Sequence, residues 1–259
     1  MRICLAQSAD PGARASQDDA ILTDATLRLF ALADGMGASV SGRPGADLAL
    51  ASLHHYYLST APLPPEPHAL HQAALAAHAA IWAKADAAAR DWELVQQGKP
   101  RSNPELGRWM GMGSTLVALR LEPGRAHVAH AGDSRGYLLR KGQLKRLTVD
   151  HRLQEDARKM GVPESEVELL PPKVIVRALG MREVIEVDVQ SLDVEAGDVF
   201  MLCSDGLSDA LSHEELEGML KQHVTALADG VEALVSLAVE RGDRTIQDNV
   251  SVLVARVVE

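Results

Sequence analysis

Apolar positions along this chain alternate between short continuous runs and helical spacing, and the switches predict its elements. Leu27 to Ala33 is a short apolar run that stops at Asp34, as a buried strand does at a turn. Helical spacing takes over from Gly45 to Tyr57. Pro62, Pro64, Pro65 and Pro67 interrupt it, and an alanine-rich helix is predicted from Pro67 to Gln96. Gln97 to Arg108, with Gly98, Pro100, Asn103 and Pro104, predicts a loop. Three strand-like runs follow, Ser114 to Leu121, Ala126 to Ala131 and Gly136 to Arg140. Glu122-Pro123-Gly124-Arg125 and Lys141-Gly142 supply their turns, so the pattern is an antiparallel meander. His151 to Met160 reads as a short helix and Gly161 to Pro172 as an irregular polar insertion, a mobile flap within residues 152–176. Strands are predicted at Val184 to Leu192 and Val199 to Cys203, helices at His213 to Lys221 and Asp229 to Glu240, and a closing strand at Val250 to Val257. Strands early and late with helices between them predict an α+β fold, two layers of mostly antiparallel sheet covered by helices. No internal repeat or low-complexity linker divides residues 1–259, so one domain is expected.

Composition narrows the function classes. With 259 residues, 46% of them apolar, the chain can bury a full core. The formal net charge of -10 argues against a nucleic-acid partner, because a phosphate backbone rewards stripes of lysine and arginine. No apolar stretch approaches the ~20 residues of a membrane span. Met1 to Ala6 is too short an apolar run for a signal peptide, so a cytoplasmic protein without membrane contact is expected. Cys4 and Cys203 both lie in apolar surroundings with no Cys-x-x-Cys, and two buried thiols in a reducing compartment are expected.

The candidate chemistry lies in four aspartate turns: Ala33-Asp34-Gly35-Met36-Gly37, Ala131-Gly132-Asp133-Ser134-Arg135, Cys203-Ser204-Asp205-Gly206 and Gln247-Asp248-Asn249-Val250-Ser251. A lone Asp-Gly is an ordinary turn. Four such pieces at the ends of separate strands suggest convergence on one point, where carboxylates repel unless cations separate them. Mg²⁺ and Mn²⁺ take oxygen ligands, and Asp34 is placed to bridge two such ions with the Gly35 carbonyl beside it. Two ions ~3.5–4 Å apart can lower the pKa of a shared water and aim it at phosphorus. Arg14, just before Gln17-Asp18-Asp19-Ala20, offers a guanidinium fork for phosphate. Zinc is disfavoured: His54, His55, His68, His71 and His78 lack a matching cysteine or carboxylate pattern, and surface or partner-facing histidines are expected. A Gly-x-Ser-x-Gly elbow and a P-loop are both absent from the sequence.

These motifs, taken in order with Gly111-Met112-Gly113-Ser114-Thr115, Leu147-Thr148-x-Asp150-His151 and Arg177-Ala178-Leu179-Gly180, resemble the metal-dependent protein phosphatases. The likeness is to the type 2C serine/threonine phosphatases in their compact bacterial form, over about residues 8 to 257. The resemblance implies a four-layer α-β-β-α sandwich with a dinuclear Mn²⁺ or Mg²⁺ site between two central sheets. It implies hydrolysis of phosphoserine and phosphothreonine by a metal-bridging water, without a phosphoenzyme. By matched position, Asp34 bridges both ions and Gly35 gives its carbonyl. Asp205 and Asp248 hold the first ion, and Asp19, with Asp18 beside it, holds the second or orders its waters. Asp133, with Asp205, matches the support of a third, weaker ion. Arg14 matches the phosphate ligand, and the catalytic set is Arg14, Asp34 and Asp205.

The chain departs from the family pattern at four points. Gln17-Asp18-Asp19 stands where Asn-Glu-Asp or Asn-Gln-Asp is usual, the Gly12 to Arg14 spacing is one residue short, and Met36 replaces a histidine proposed as general acid in animal relatives. Ala38 stands where a second glycine is frequent. The resemblance further implies a phosphoprotein substrate, an opposing Ser/Thr kinase and a monomer. The competing reading is a catalytically weak module of the same fold that binds phosphoproteins or senses metal.

Overall fold

A computed structural model describes residues 1–37, 42–95, 112–243 and 245–258, with side chains described over the same ranges less 88–95. The predicted loop Gln97 to Arg108, together with Ala38 and Gly111, lies outside the described residues.

Eleven strands are described. They are β1 (Ile3–Asp10), β2 (Asp19–Asp24), β3 (Leu29–Met36), β4 (Gly113–Ser114), β5 (Leu116–Glu122), β6 (Arg125–Ala131), β7 (Arg135–Arg140), β8 (Gln143–Arg146), β9 (Asp188–Asp193), β10 (Val199–Cys203) and β11 (Val250–Val257). They form two sheets, ordered β1-β11-β10-β7-β8 and β2-β3-β5-β6-β9, with β4 pairing to β3. The pairings along both sheets are antiparallel. Helices α1 (Arg43–Ser59) and α2 (His68–Val95) cover one sheet. After α3 (Leu153–Lys159), α4 (Glu164–Val167) and the single turn α5 (Asp205–Ser208), helices α6 (His213–Gln222) and α7 (Leu227–Arg241) cover the other.

Strand alternation explains the layering, because successive side chains point to opposite faces. Leu29, Ala31 and Ala33 of β3 pack under α1 and α2, while Phe30 and Leu32 face the second sheet. On β10, Val199, Met201 and Cys203 face α6 and α7, and Phe200 and Leu202 meet Phe30 and Leu32 between the sheets. Both sheets are buried on two faces, which is why their strands read as continuous apolar runs. Helix α6 begins with a capping box: the Ser212 hydroxyl accepts from the Glu215 N–H, and the Glu215 carboxylate accepts from the Ser212 N–H. The expected α-β-β-α sandwich is therefore the observed fold.

Four expectations need correction. Strand β9 starts at Asp188 rather than Val184, which is 81% exposed and covers no core. The insertion after Gly161 is not irregular throughout. Pro163 leads into the turn of α4, Val167 is fully buried, and Gln154 donates to the carbonyls of Val167 and Leu170. Cys4 is exposed, because β1 is an edge strand on which Ile3 and Leu5, not Cys4, point between the sheets. Cys203 is buried as expected, and burial pushes its thiol up to about 12. His78 is buried rather than surface-facing. Its Nδ1 accepts from the Gly180 N–H at 3.2 Å and its Nε2 donates to the Glu183 carbonyl at 3.2 Å, so it ties α2 to the segment before β9.

Candidate metal centre

Antiparallel pairing brings the aspartates together at one end of both sheets. The strand expected to stop at Asp34 runs on to Met36, because Gly35 and Met36 pair with β4, and Asp34 lies within β3 as the register partner of Asp19 at the start of β2. Asp133 follows β6, Asp205 follows β10, and Asp248 precedes β11. Each therefore emerges where one strand of a pair begins and its neighbour stops.

The backbone around Asp34 is fixed by the next strands. Its N–H donates to Thr115 Oγ1 at 2.9 Å, and its carbonyl accepts from the Thr115 N–H at 2.8 Å and from Ser114 Oγ at 3.1 Å. Asn249 performs the same service for the loop before β2. Its Nδ2 donates to the carbonyls of Pro11 and Ser16 at 2.9 Å each, and its Oδ1 accepts from the Asp18 N–H at 2.6 Å. A Cβ on Gly206 would sit 2.2 Å from the Asn249 carbonyl oxygen, so only glycine lets α5 approach this loop. Gly35 is equally constrained, since a Cβ there would lie 2.0 Å from the Gly42 carbonyl oxygen.

The carboxylates carry a distinctive electrostatic signature. Both oxygens of Asp19, Oδ1 of Asp133 and Oδ1 of Asp205 are buried without a hydrogen-bond partner. Buried polar atoms are nearly always paired, so four unpartnered carboxylate oxygens in one place mark where cations belong. Burial pushes Asp19 up to about 7, against the pull of the Ser251 and Ser204 hydroxyls. Burial, then the charge of Asp133, also pushes Asp205 up to about 7. Asp34 is raised well above its ordinary value by burial and then by Asp19, Asp205, Asp133 and Asp248 in turn. Such a set is acceptor-only, oxygen-rich and crowded, which suits Mg²⁺ or Mn²⁺.

Other expected residues are placed differently. Arg14 is half exposed and turns its fork onto Asp248, Nε to Oδ1 at 3.1 Å and Nη2 to Oδ2 at 2.8 Å. Asp18 directs its carboxylate to the loops: Oδ1 accepts from Ser16 Oγ and Oδ2 from the Gly42 N–H, both at 3.0 Å. Its carbonyl also accepts from the Gly35 N–H at 3.3 Å. Asp18 thus braces the turn that carries Gly35, and an ion would have to share its carboxylate.

Sequence reasoning passed over Arg152, which reaches into the cluster. Its Nε donates to Asp133 Oδ2 at 2.8 Å, and Nη2 donates to Asp205 Oδ2 at 3.2 Å. Nη1 and Nη2 donate to the two oxygens of Asp209, each at 3.3 Å or less. Burial opposes ionisation of Asp209, but Arg152 and Lys173 outweigh it and hold that carboxyl below its ordinary value. A lone arginine after Asp150-His151 carries no local signal; only the three-dimensional fold brings it to Asp133.

Residues 12–238 match the family described as protein phosphatase 2C. The chain belongs to that family. It is 35% identical over 248 residues to the serine/threonine protein phosphatase PstP of Mycobacterium tuberculosis, covering 95% of this chain and 43% of PstP. It is 30% identical over 227 residues to the protein phosphatase PhpP of Streptococcus pneumoniae, covering 86% of this chain and 83% of PhpP. The chain thus spans less than half the length of the PstP relative. Among solved structures, the M. tuberculosis PstP phosphatase superposes with a TM-score of 0.79 at 33% identity, over 99% of both chains. The catalytic domain of PstP in complex with two manganese ions matches with a TM-score of 0.77 at 33% identity, over 99% of both chains.

Proposed function

We propose that this chain is a metal-dependent serine/threonine protein phosphatase that hydrolyses phosphoserine and phosphothreonine in proteins with two Mn²⁺ or Mg²⁺ ions. The observation that carries this reading is the set of unpartnered buried oxygens on Asp19, Asp133 and Asp205 beside the strongly raised Asp34. The named activities of the relatives and the two manganese ions in one of them support it.

When bound, a pair of divalent ions supplies a nucleophilic water at neutral pH and neutralises charge on the transferring phosphoryl group. The protein's part is to hold the donors in place beforehand. Asp34, the Gly35 carbonyl, Asp19, Asp205 and Asp248 would form the ligand set, and the hydrogen bonds that tie the Asp34 backbone to Thr115 and Ser114 hold it before any ion arrives. Arg14 guards Asp248 in a bidentate pair. With Asp248 given over to a cation, the Arg14 fork would be free to hold two oxygens of the substrate phosphate. Met36 offers no proton, so the leaving oxygen would take its proton from a water or from the phosphate itself.

Residues 1–259 act in this reading as one phosphatase unit, with residues 152–176 as a flap beside the centre. We place it in the cytoplasm as a monomer that opposes a Ser/Thr kinase; among the described residues, no helix is long and apolar enough to cross a membrane.

The test is hydrolysis of a phosphothreonine and a phosphotyrosine peptide, each in Mn²⁺ and in EDTA. Mn²⁺-dependent turnover that favours phosphothreonine is the expected result. Absence of turnover, with Mn²⁺ still raising the melting temperature, would replace the enzyme by a phosphoprotein-binding or metal-sensing module.

A further inference from the structure

We infer that Arg152 is a built-in counter-cation that takes the place of a third divalent ion at Asp133 and Asp205, so that this chain carries two ions rather than three. The inference rests on the metal centre proposed above and concerns the carboxylates beside it, Asp133 and Asp209, together with the second oxygen of Asp205.

The geometry is that of a guanidinium enclosed by carboxylates. Its fork makes four hydrogen bonds of 2.8 to 3.3 Å, one to Asp133, one to Asp205 and two to Asp209. The side chain is 10% exposed, and that of Asp133 only 2%. Arginine stays charged in such a place, and its planar fork satisfies several carboxylate oxygens at once. Asp209 takes a second cation from Lys173 Nζ at 3.0 Å.

The backbone keeps Arg152 from swinging away. The His151 N–H donates to the Gly132 carbonyl at 3.0 Å, and Gly132 returns its own N–H to His151 Nδ1 at 3.0 Å. On the other side the Leu153 N–H donates to the Val174 carbonyl at 2.8 Å and the Val176 N–H to the His151 carbonyl at 2.9 Å. Arg152 is thus pinned between the turn that carries Asp133 and the returning end of the flap.

A third ion would have to enter through Oδ1 of Asp133, the one oxygen of that residue without a partner, while Oδ2 stays on the guanidinium. It would sit beside a fixed positive charge in a low-dielectric site, where like charges repel strongly. Asp133 and Asp205 therefore divide their work. Asp205 Oδ1 is open to the metal pair, and the Oδ2 atoms of both residues are neutralised by Arg152.

Ion counting tests this. Equilibrium dialysis against Mn²⁺ up to millimolar concentration, read by elemental analysis, is run on the wild-type protein, Arg152→Ser, Arg152→Lys and the double variant Arg152→Ser/Asp133→Asn. Two ions are expected in the wild type and in Arg152→Lys. Arg152→Ser is expected to gain a third, weaker ion that the added Asp133→Asn removes. In EDTA, Arg152→Ser should melt below the wild type, and Mn²⁺ should restore most of the loss. Three ions in the wild type would overturn the inference, and so would a count of two in Arg152→Ser. If Arg152→Ser does not fold, the wild-type count and Arg152→Lys still decide. Failure to cleave a phosphothreonine peptide would remove the phosphatase reading and leave the ion count standing.

Discussion

Two buried polar clusters lie side by side in this fold, and they answer their charges in opposite ways. One is the aspartate centre. The other is made by His130 and His151, stacked with ring centroids 4.6 Å apart, with Asp188 and Arg177. Ligand atoms of His130, His151 and Asp188 lie within 4.8 Å of one another, close enough to hold a cation by distance alone. Yet the protons there are already assigned by the hydrogen bonds. Gly132 donates to His151 Nδ1, so the His151 proton is on Nε2, which donates to Asp188 Oδ2 at 3.2 Å. His130 Nε2 donates to the Val149 carbonyl at 3.0 Å, and Arg177 donates to Asp188 Oδ1 at 2.7 Å. Among the described residues, the buried atoms without a partner include none from this histidine cluster and four from the aspartates. Proximity of donors is shared by both clusters. Unsatisfied oxygen is what singles out a metal centre.

The sharpest way to break that comparison is Asp34→Asn. If the aspartates exist for cations, this change should lower Mn²⁺-dependent turnover of a phosphothreonine peptide by at least about 10³-fold, or about 4 kcal/mol of transition-state stabilisation. In EDTA the same variant should melt no lower than the wild type, because burial and its acidic neighbours already disfavour the ionised form of Asp34, and Asn cannot ionise. Calorimetry with and without metal, beside the rate assay, checks both halves. A variant that keeps its activity, or loses several degrees in EDTA, would put Asp34 in the structural class with the histidines.

His151→Ala should show the converse. It leaves the Gly132 N–H and Asp188 Oδ2 without their partner and opens a cavity, at a cost of about 2–4 kcal/mol. In a domain of this size each kcal/mol lowers Tm by about 2–4 °C. The loss should be equal in Mn²⁺ and EDTA, and added Zn²⁺ should not raise the wild-type melting temperature. A Zn²⁺-dependent rise abolished by His151→Ala would make the histidines a metal site after all.

What could be read in advance follows the same divide. The sandwich was legible because strands buried on both faces leave long apolar runs, and Asp34, Asp133, Asp205 and Asp248 were legible because each lies directly beside such a run, next to a glycine or asparagine. Strands β1 and β2 were not predicted: β1 lies on a sheet edge with alternate residues exposed, and β2 mixes Asp19, Thr23 and Asp24 among its apolar positions. Arg152 and Asn249 act across the fold, bonding residues that are 19 to 57 and over 230 positions away, and no local pattern records such reach. Ser114 and Thr115 stood within a recognised motif, but their role as the clasp on Asp34 needed the pairing of β3 with β4 and β5.

The smallest effect separates the clusters by pH. In the metal-free protein Asp19 and Asp205 hold their protons up to about 7, whereas an ordinary aspartate releases its proton near 3.8. The folded state thus binds more protons than the unfolded chain between those values, and its stability falls as pH rises through the window. His151 runs the other way. Burial, His130 and Arg177 depress it to about 4 from an ordinary 6.5, so the unfolded chain binds more protons and stability falls as pH drops from 6.5 toward 4. In EDTA the two slopes oppose each other. In saturating Mn²⁺ the aspartates are ionised at every pH where metal binds, which removes their slope and leaves that of the histidine. The gap between melting temperatures in Mn²⁺ and EDTA should therefore widen from pH 5 to pH 7, on the order of a few degrees. His151→Asn should flatten the acid side of both curves and leave the gap. A gap that stays constant with pH would mean that the aspartates are already ionised without metal, and the electrostatic distinction between the two clusters would fall.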